Sequence, residues 1–258
     1  MCTQPLCFRP LLRSARYRVM IFICSFAMYL PNVGYAKGWK VAKKEQGVVV
    51  STRDEPGRDL PSFKGTGRVK AGMFELLAVL RDGRRRKEWM TRSGVTRVLK
   101  RVSVWEAVSY QQTLAPWPVS DRDVVMRTSV YQRPDTREII ATFNFERWTA
   151  PIKGVDRDDY VLMPYLKGYW RLVPISDEET EVTYMVNTDP GGLLPNVLIT
   201  RISRDLPYWT LLGMRKQAKK GFGRYKSFLD SYDPKRAGDK VKARPPAPPS
   251  GVLKYVLN

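Results

Sequence analysis

The chain has 258 residues, 43% apolar and 27% charged, which suits one or two globular domains and excludes a disordered or fibrous chain. Its 45 basic against 25 acidic residues give a net charge of +20, an excess that favours anionic partners such as phospholipid head groups, lipopolysaccharide or nucleic acid. It contains no histidine, so Ser-His-Asp and Cys-His nucleophilic sites and histidine-held metals are excluded.

Residues 1–36 hold Arg9, Arg13, Arg16 and Arg18 and no acid. An apolar run from Val19 to Leu30 follows, broken by Ser25, and Gly34 and Ala36 are small residues flanking Tyr35. This is the layout of a secretory signal peptide, and the run is shorter than the roughly 20 residues that span a bilayer. The expectation is cleavage near Ala36 and an exported chain, periplasmic or secreted; an uncleaved anchor is the competing reading. Cleavage would remove Cys2, Cys7 and Cys24, leaving no thiol and a net charge of +16. Thiolate catalysis and zinc–sulfur sites then go too.

Residues 37–232 read as one domain. Trp39 to Arg53 predicts two short strands turning at Gln46-Gly47, and Phe63 to Ala71 a third. Met73, Leu76, Leu77 and Leu80 recur at helical spacing, predicting a helix over 72–81. The run Arg84-Arg85-Arg86-Lys87, leading into Trp89 and Met90, reads as a short helix with a solvated basic face. Gly94 to Arg147 predicts antiparallel strands. Val102, Val104, Glu106, Val108 and Tyr110 share one face of a long strand, and Val124, Met126, Thr128 and Val130 one face of the next. After a polar loop at 149–159, two further strands run from Tyr160 to Val173 and from Glu179 to Thr188, about nine in all.

Asp189-Pro190-Gly191-Gly192 stops the last strand with a residue lacking the ladder donor and two that allow a sharp reversal. Pro195 suits a first helical turn. Leu198, Ile202, Leu206, Trp209 and Leu212 then form one apolar stripe of a helix from Asn196 to Gln217, with Pro207 expected to kink it. From Asp233 to Asn258 the chain is basic and proline-rich, predicted as an extended, mobile tail whose last segment, GVLKYVLN, is apolar enough to fold back. No phosphate-binding glycine motif is present, and no pairing of carboxylate, lysine, tyrosine or serine stands out by spacing. No metal or cofactor is expected, and the composition favours binding over turnover.

The segment APWPVSDRD at 115–123 and the DPGG turn resemble START domains, the steroidogenic-acute-regulatory-related lipid-transfer modules. FKGTGRV at 63–69, VLRDGRRRKEWM at 79–90, the Gly168-to-Pro174 strand and TEVTYMVNTDPGG at 180–192 stand in the same order. The resemblance covers about residues 38–220. It implies an α+β helix-grip fold: a curved antiparallel sheet wrapped around the last long helix, with a lipid-sized apolar tunnel between. Locally, Pro116 and Pro118 end a strand, Trp117 is expected to plug the sheet end, and Asp121 to accept backbone N–H groups. Arg122 and Asp123 are expected to pair with each other or across strands.

The expected tunnel lining comes from the apolar strand faces and the helix stripe: Glu106, Val108, Tyr110, Met126, Thr128, Phe143, Trp170, Tyr184, Leu198, Ile202 and Leu206. Cholesterol-type members of the family place an acid and an arginine in the tunnel. Here Thr128 stands at the arginine's position, Arg127 points to the opposite face, and the acid's position falls on Ser109, so a sterol is not specifically implied. Glu106, on the apolar face, must be protonated or bonded. The implied partners are a phospholipid, sterol-like or other hydrophobic ligand and, peripherally, an anionic membrane, with no specific nucleic acid. Two other readings compete. A helix-grip enzyme, such as a cyclase or hydrolase, needs converging polar groups in the tunnel. A basic surface-binding protein for anionic polymers needs a filled interior.

Overall fold

The computed structural model describes residues 38–58, 60–192 and 196–258, with the backbone alone described at 196–203. Residues 1–36, read above as a signal peptide, Pro195 and the side chains of Leu198 and Ile202 lie outside the described residues. The strands are β1 (Lys40–Glu45), β2 (Val48–Arg53), β3 (Ser62–Val69), β4 (Ser93–Arg101), β5 (Glu106–Thr113), β6 (Arg122–Gln132), β7 (Ile139–Phe145), β8 (Val161–Leu162), β9 (Tyr165–Pro174) and β10 (Thr180–Asp189). They join in one sheet of order β1-β2-β3-β10-β9-β7-β6-β5-β4, antiparallel throughout, with the two-residue β8 added parallel to β6. The single strand expected over 102–110 does not form. Residues 102–105 are a turn between β4 and β5, in which Val102 and Ser103 donate to the Glu106 carbonyl.

Helix α1 (Met73–Arg81) and a 3₁₀ turn over Gly83–Glu88 lie between β3 and β4. Helix α2 (Asn196–Ala218) contains Pro207 and packs mainly on β3 and β2. Its buried stripe is not the expected one. Tyr208, Leu211 and Met214 are fully buried, whereas Trp209 is 51% exposed. The two stripes are offset by about one residue. Gly213, on the Trp209 flank of the helix, turns that flank towards the chain after the 3₁₀ turn: its Cβ would overlap the Trp89 carbonyl oxygen, so only glycine lets α2 approach this closely. Arg215 fixes the opposite side by donating to the carbonyls of Arg68, Gln46 and Gly47.

The 233–258 segment, expected to be mobile, is docked. Asp233 accepts from the Lys235 N–H and caps α4 (Pro234–Ala237). Gln132 N–H donates to the Pro246 carbonyl, and Lys242 N–H to that of Ser231, in α3 (Lys226–Tyr232). The final helix α5 (Ser250–Leu257) sets Val256 against Ile140, Tyr169 and Met185 on the outer face of the sheet. The proline run thus serves as a short bridge between two anchored points, which removes the freedom its composition suggests. A second outer patch, Val108, Tyr110 and Val125, is covered by Ile152, Trp148 and Val155 of the loop after β7. Both faces of the sheet are therefore buried, and the inner face with α1 and α2 holds the main core.

Two outcomes are expected. Gly213→Ala lowers thermal stability by about 1–3 kcal/mol through overpacking, although alanine normally favours a helix interior by about 1 kcal/mol; a rise in Tm would refute the close contact. Deleting residues 250–258 uncovers Ile140, Tyr169 and Met185, so the truncated chain binds a hydrophobic dye and its Tm falls by on the order of 5 °C.

Candidate functional site

The register sets which side chains meet on the inner face. Tyr184 lies opposite Trp170, which lies opposite Ala141; one row away, Val186, Gly168 and Phe143 are aligned, with Thr128 beyond. A Cβ at Gly168 would overlap the Phe143 ring, so the glycine leaves room for that ring to lie on the sheet. Trp170 stacks on Tyr184 at 4.2 Å and meets Trp89 edge-on at 5.8 Å, and Phe143 sits 6.1 Å from Tyr184.

These rings partition the interior. Where one lipid-sized tunnel is expected, the described residues enclose two hollows of about 100 and 90 Å³, each smaller than the roughly 150 Å³ that admits benzene. The outer hollow is bounded by Val124, Met163, Leu166, Tyr184, Val186 and Leu206. The inner one is bounded by Leu77, Val98, Trp105, Ser109, Thr128 and Ala141. Leu80, Arg86, Trp89's neighbour Trp170, Met126 and Phe143 stand between them, lining both.

Of the expected lining residues, Met126, Phe143 and Trp170 border both hollows, Thr128 the inner one, and Tyr184 and Leu206 the outer one. Val108 and Tyr110 do not face inward; they belong to the outer patch. The expectation took the apolar face of β5 for the inside. In fact its inward row is Ala107, Ser109, Gln111 and Thr113, and the apolar row meets the loop after β7. Glu106 stands in the same outward row, at the edge of the inner hollow, and its carboxylate accepts from Arg127 at 2.6 Å. Arg127 also bonds Glu146, at 2.7 Å, so Glu106 is paired and takes no part in the interior.

The 115–123 segment behaves partly as expected. Asp121 accepts from the Ala115 N–H at 2.8 Å. Trp117 plugs nothing and is 93% exposed. Arg122 and Asp123 do not pair with each other. Asp123 accepts from Arg157 at 2.7 Å, and Arg122 donates to the carbonyls of Pro190 and Gly191. Arg122 thereby holds the DPGG turn, where Gly191 and Gly192 have φ of +66° and +67° and the Gly191 N–H donates to Asp189 at 2.8 Å.

The sequence reading missed Arg86. It took the run 84–87 as one solvated face, but Arg86 precedes Trp89 by three residues, the spacing that brings both to one side of a 3₁₀ turn. The Arg86 guanidinium donates to Gln111 Oε1 at 2.6 Å and to the Leu80 carbonyl at 3.1 Å. It keeps some accessible surface, yet lies deep enough that burial pulls its pKa below the ordinary guanidinium value. Among the described residues no carboxylate forms an ion pair with it. Burial also holds the Tyr184 phenol above its usual range, so it stays protonated. A second guanidinium, Arg81, borders the inner hollow and donates to the Val104 carbonyl; burial lowers its pKa to about 10. The indole N–H groups of Trp89, on the outer hollow, and Trp105, on the inner one, are buried without a partner. The interior thus offers donors in an apolar setting, and the one carboxylate on either wall, Glu106, is already paired.

The comparisons agree with this geometry. The START domain family matches residues 32–206. The Pseudomonas aeruginosa protein PA1579 is 32% identical over 185 residues, 72% of this chain and 89% of that one. A crystal structure of a STAR-related lipid transfer protein from Xanthomonas axonopodis superposes with a TM-score of 0.64 at 31% identity, covering 71% of this chain and 99% of that one. Human STARD10, at 22% identity and a TM-score of 0.65 over 82% of this chain and 84% of its own, shares the fold. An antiparallel sheet closed by a long helix over a donor-lined apolar interior, matched along most of its length, places the chain in the START domain family.

Proposed function

We propose that this protein binds a single amphipathic lipid, with an anionic, acceptor-rich head at Arg86 and its apolar body in the outer hollow, and carries it between membranes. The observation that supports this most is the Arg86 guanidinium, which lines both hollows and whose hydrogen-bond partners among the described residues, Gln111 and Leu80, are neutral. A charge in apolar surroundings calls for a counter-charge, and a ligand's carboxylate or phosphate is one. The outer hollow, walled by Val124, Met163, Leu166, Val186 and Leu206, suits a hydrocarbon chain, which gains about 0.8 kcal/mol for each CH₂ withdrawn from water. Neither hollow alone nor the two joined hold a whole lipid, so entry requires Phe143 to move and α2 to lift from the sheet beside Leu206.

Peripheral docking on an anionic membrane belongs to the same reading. Among the described residues no helix is long and apolar enough to cross a bilayer. Beside the outer hollow, a surface groove is lined by Leu114, Trp209, Lys87, Arg92 and Lys216; Trp209 and Leu114 are exposed, as is Trp117. Exposed indoles among cations suit the bilayer interface. Export is part of the same reading, supported by the acid-free first 36 residues, whose four arginines precede an apolar run. Binding is favoured over turnover because Glu106, the sole carboxylate on either wall among the described residues, is held by Arg127.

Purified protein extracted with organic solvent should release a lipid, and titration with stearate should change the tryptophan fluorescence. Arg86→Leu should weaken stearate binding about ten- to a hundredfold, the worth of a charge-assisted hydrogen bond, while the fold survives. No co-purified lipid and no stearate uptake would sink the reading. Trp117→Ala should reduce sedimentation with phosphatidylglycerol vesicles, and raised salt should reduce it for the parent protein.

A further inference from the structure

We propose that Trp105, pinned from behind by Phe228 and Tyr232, is the end stop of the cavity and restricts the ligand to a head of about carboxylate size. The inference rests on the lipid-binding reading above and adds to it the limit on the head.

Trp105 forms the end wall of the inner hollow and is 7% exposed. It sits in the turn between β4 and β5. Its backbone is tied down: its carbonyl accepts from Val130 N–H at 2.8 Å and its N–H donates to Ser103 Oγ at 3.1 Å. Its indole N–H, by contrast, has no partner. Packing alone therefore fixes the ring's orientation, and the packing comes from α3. Tyr232 and Phe228 meet the indole edge-on at 5.4 and 6.3 Å and lie 5.2 Å from each other. The Arg81 guanidinium fits beside them, 5.4 Å from the Trp105 ring and 4.9 Å from that of Phe228.

Helix α3 is itself held at several points. Leu229 is fully buried, the Tyr225 hydroxyl donates to Asp82 at 3.2 Å, and the Ser231 carbonyl accepts from Lys242 N–H at 2.9 Å. It lies past residue 206, beyond the stretch over which the family is matched. The wall, Trp105, lies within the matched core, and the segment that backs it lies outside.

The inner hollow is the polar end of the interior. Arg81, Arg86 and Arg101 border it, together with Ser109, Thr128 and the unpartnered indole. Its volume is about 90 Å³. At about 30 Å³ for each water, that is room for roughly three heavy atoms, the size of a carboxylate. A phosphocholine head does not fit unless the indole swings away. Phe228 and Tyr232 touch Trp105 rather than the hollow, so they act as positioning residues.

The test keeps the tail constant and enlarges the head. Stearate, stearoyl lysophosphatidate and stearoyl lysophosphatidylcholine are titrated into the full chain, with binding read by native mass spectrometry and fluorescence. The parent protein should prefer stearate to the lysophosphatidylcholine by at least about tenfold. In the doubly substituted Phe228→Ala, Tyr232→Ala protein this preference should shrink about tenfold, and Phe228→Leu with Tyr232→Phe should restore it. Ala107→Leu, which adds bulk from the inward row of β5, should steepen the preference; it serves as an independent arm should the double alanine variant fail to fold. Unchanged preference in folded variants overturns the end stop while leaving lipid binding intact. Failure of all three probes to bind the parent protein overturns the lipid-binding reading, and the end stop falls with it.

Discussion

The constraint that organises this molecule is a permanent positive charge kept among aromatic rings. Arg86 has no carboxylate ion-pair partner among the described residues; it is held by an amide oxygen and a main-chain carbonyl. Guanidinium does not shed its proton at physiological pH, so the protein cannot neutralise it as it would a buried lysine. Around it the structure supplies dipoles and π faces, with Tyr184 kept neutral by burial. Asp82 acts on it only through space and is bonded to Arg85 and Tyr225, and the acids of the sheet are spent elsewhere. Glu106 and Glu146 share Arg127, and Glu138 lies between Arg133 and Arg171 on the outer side of the sheet. Charge is thus satisfied on the outer face and left unsatisfied on the inner one. On the lipid-binding reading proposed above, that asymmetry is what favours an anionic head.

Holding such an interior takes a sheet covered on both faces. On the inner side α2 reaches the 3₁₀ segment across Gly213, the backbone of Trp89 meeting it directly. This contact sets Trp89 against Trp170, and through the short turn it also sets Arg86. On the outer side, the loop after β7 and the C-terminal segment each cover an apolar patch. Tyr169 donates to the Val256 carbonyl at 3.3 Å while its ring meets Tyr255 edge-on, so α5 is fastened by polar and apolar contacts together. Covering the outer face stiffens the wall from behind, and the rings on its inner face inherit that rigidity.

Much of this was legible in the sequence. Alternation in β6 placed Val124, Met126, Thr128 and Val130 on one face, and they do face the interior. The DPGG turn and the long helix after it stood out from local chemistry. The misplaced lining residues had one cause, the assumption that a strand's apolar row must face the main core. In β5 both rows are covered, so apolar Val108 and Tyr110 go outward and small polar Ser109 and Gln111 go inward. The tail was misread for a related reason: its anchors, Val256 and the carbonyls of Pro246 and Ser231, are single points that composition averages away. Arg86 was obscured by its three basic neighbours, though its spacing to Trp89 carried the signal.

The division of the interior follows from the same rings that line it. Phe143 lies on Gly168, with no side chain beneath to lock it from the sheet side. Trp170 and Tyr184 are stacked on each other, so displacing either breaks that contact, whereas rotating Phe143 away would join the two hollows and leave it intact. The joined space would still have Arg86 at its middle, since that residue already borders both halves. A ligand entering by Leu206 would then meet the charge before it reached Trp105. On the proposed reading the order of events follows position: the apolar body opens the partition, the guanidinium receives the head, and the end wall limits the head's size.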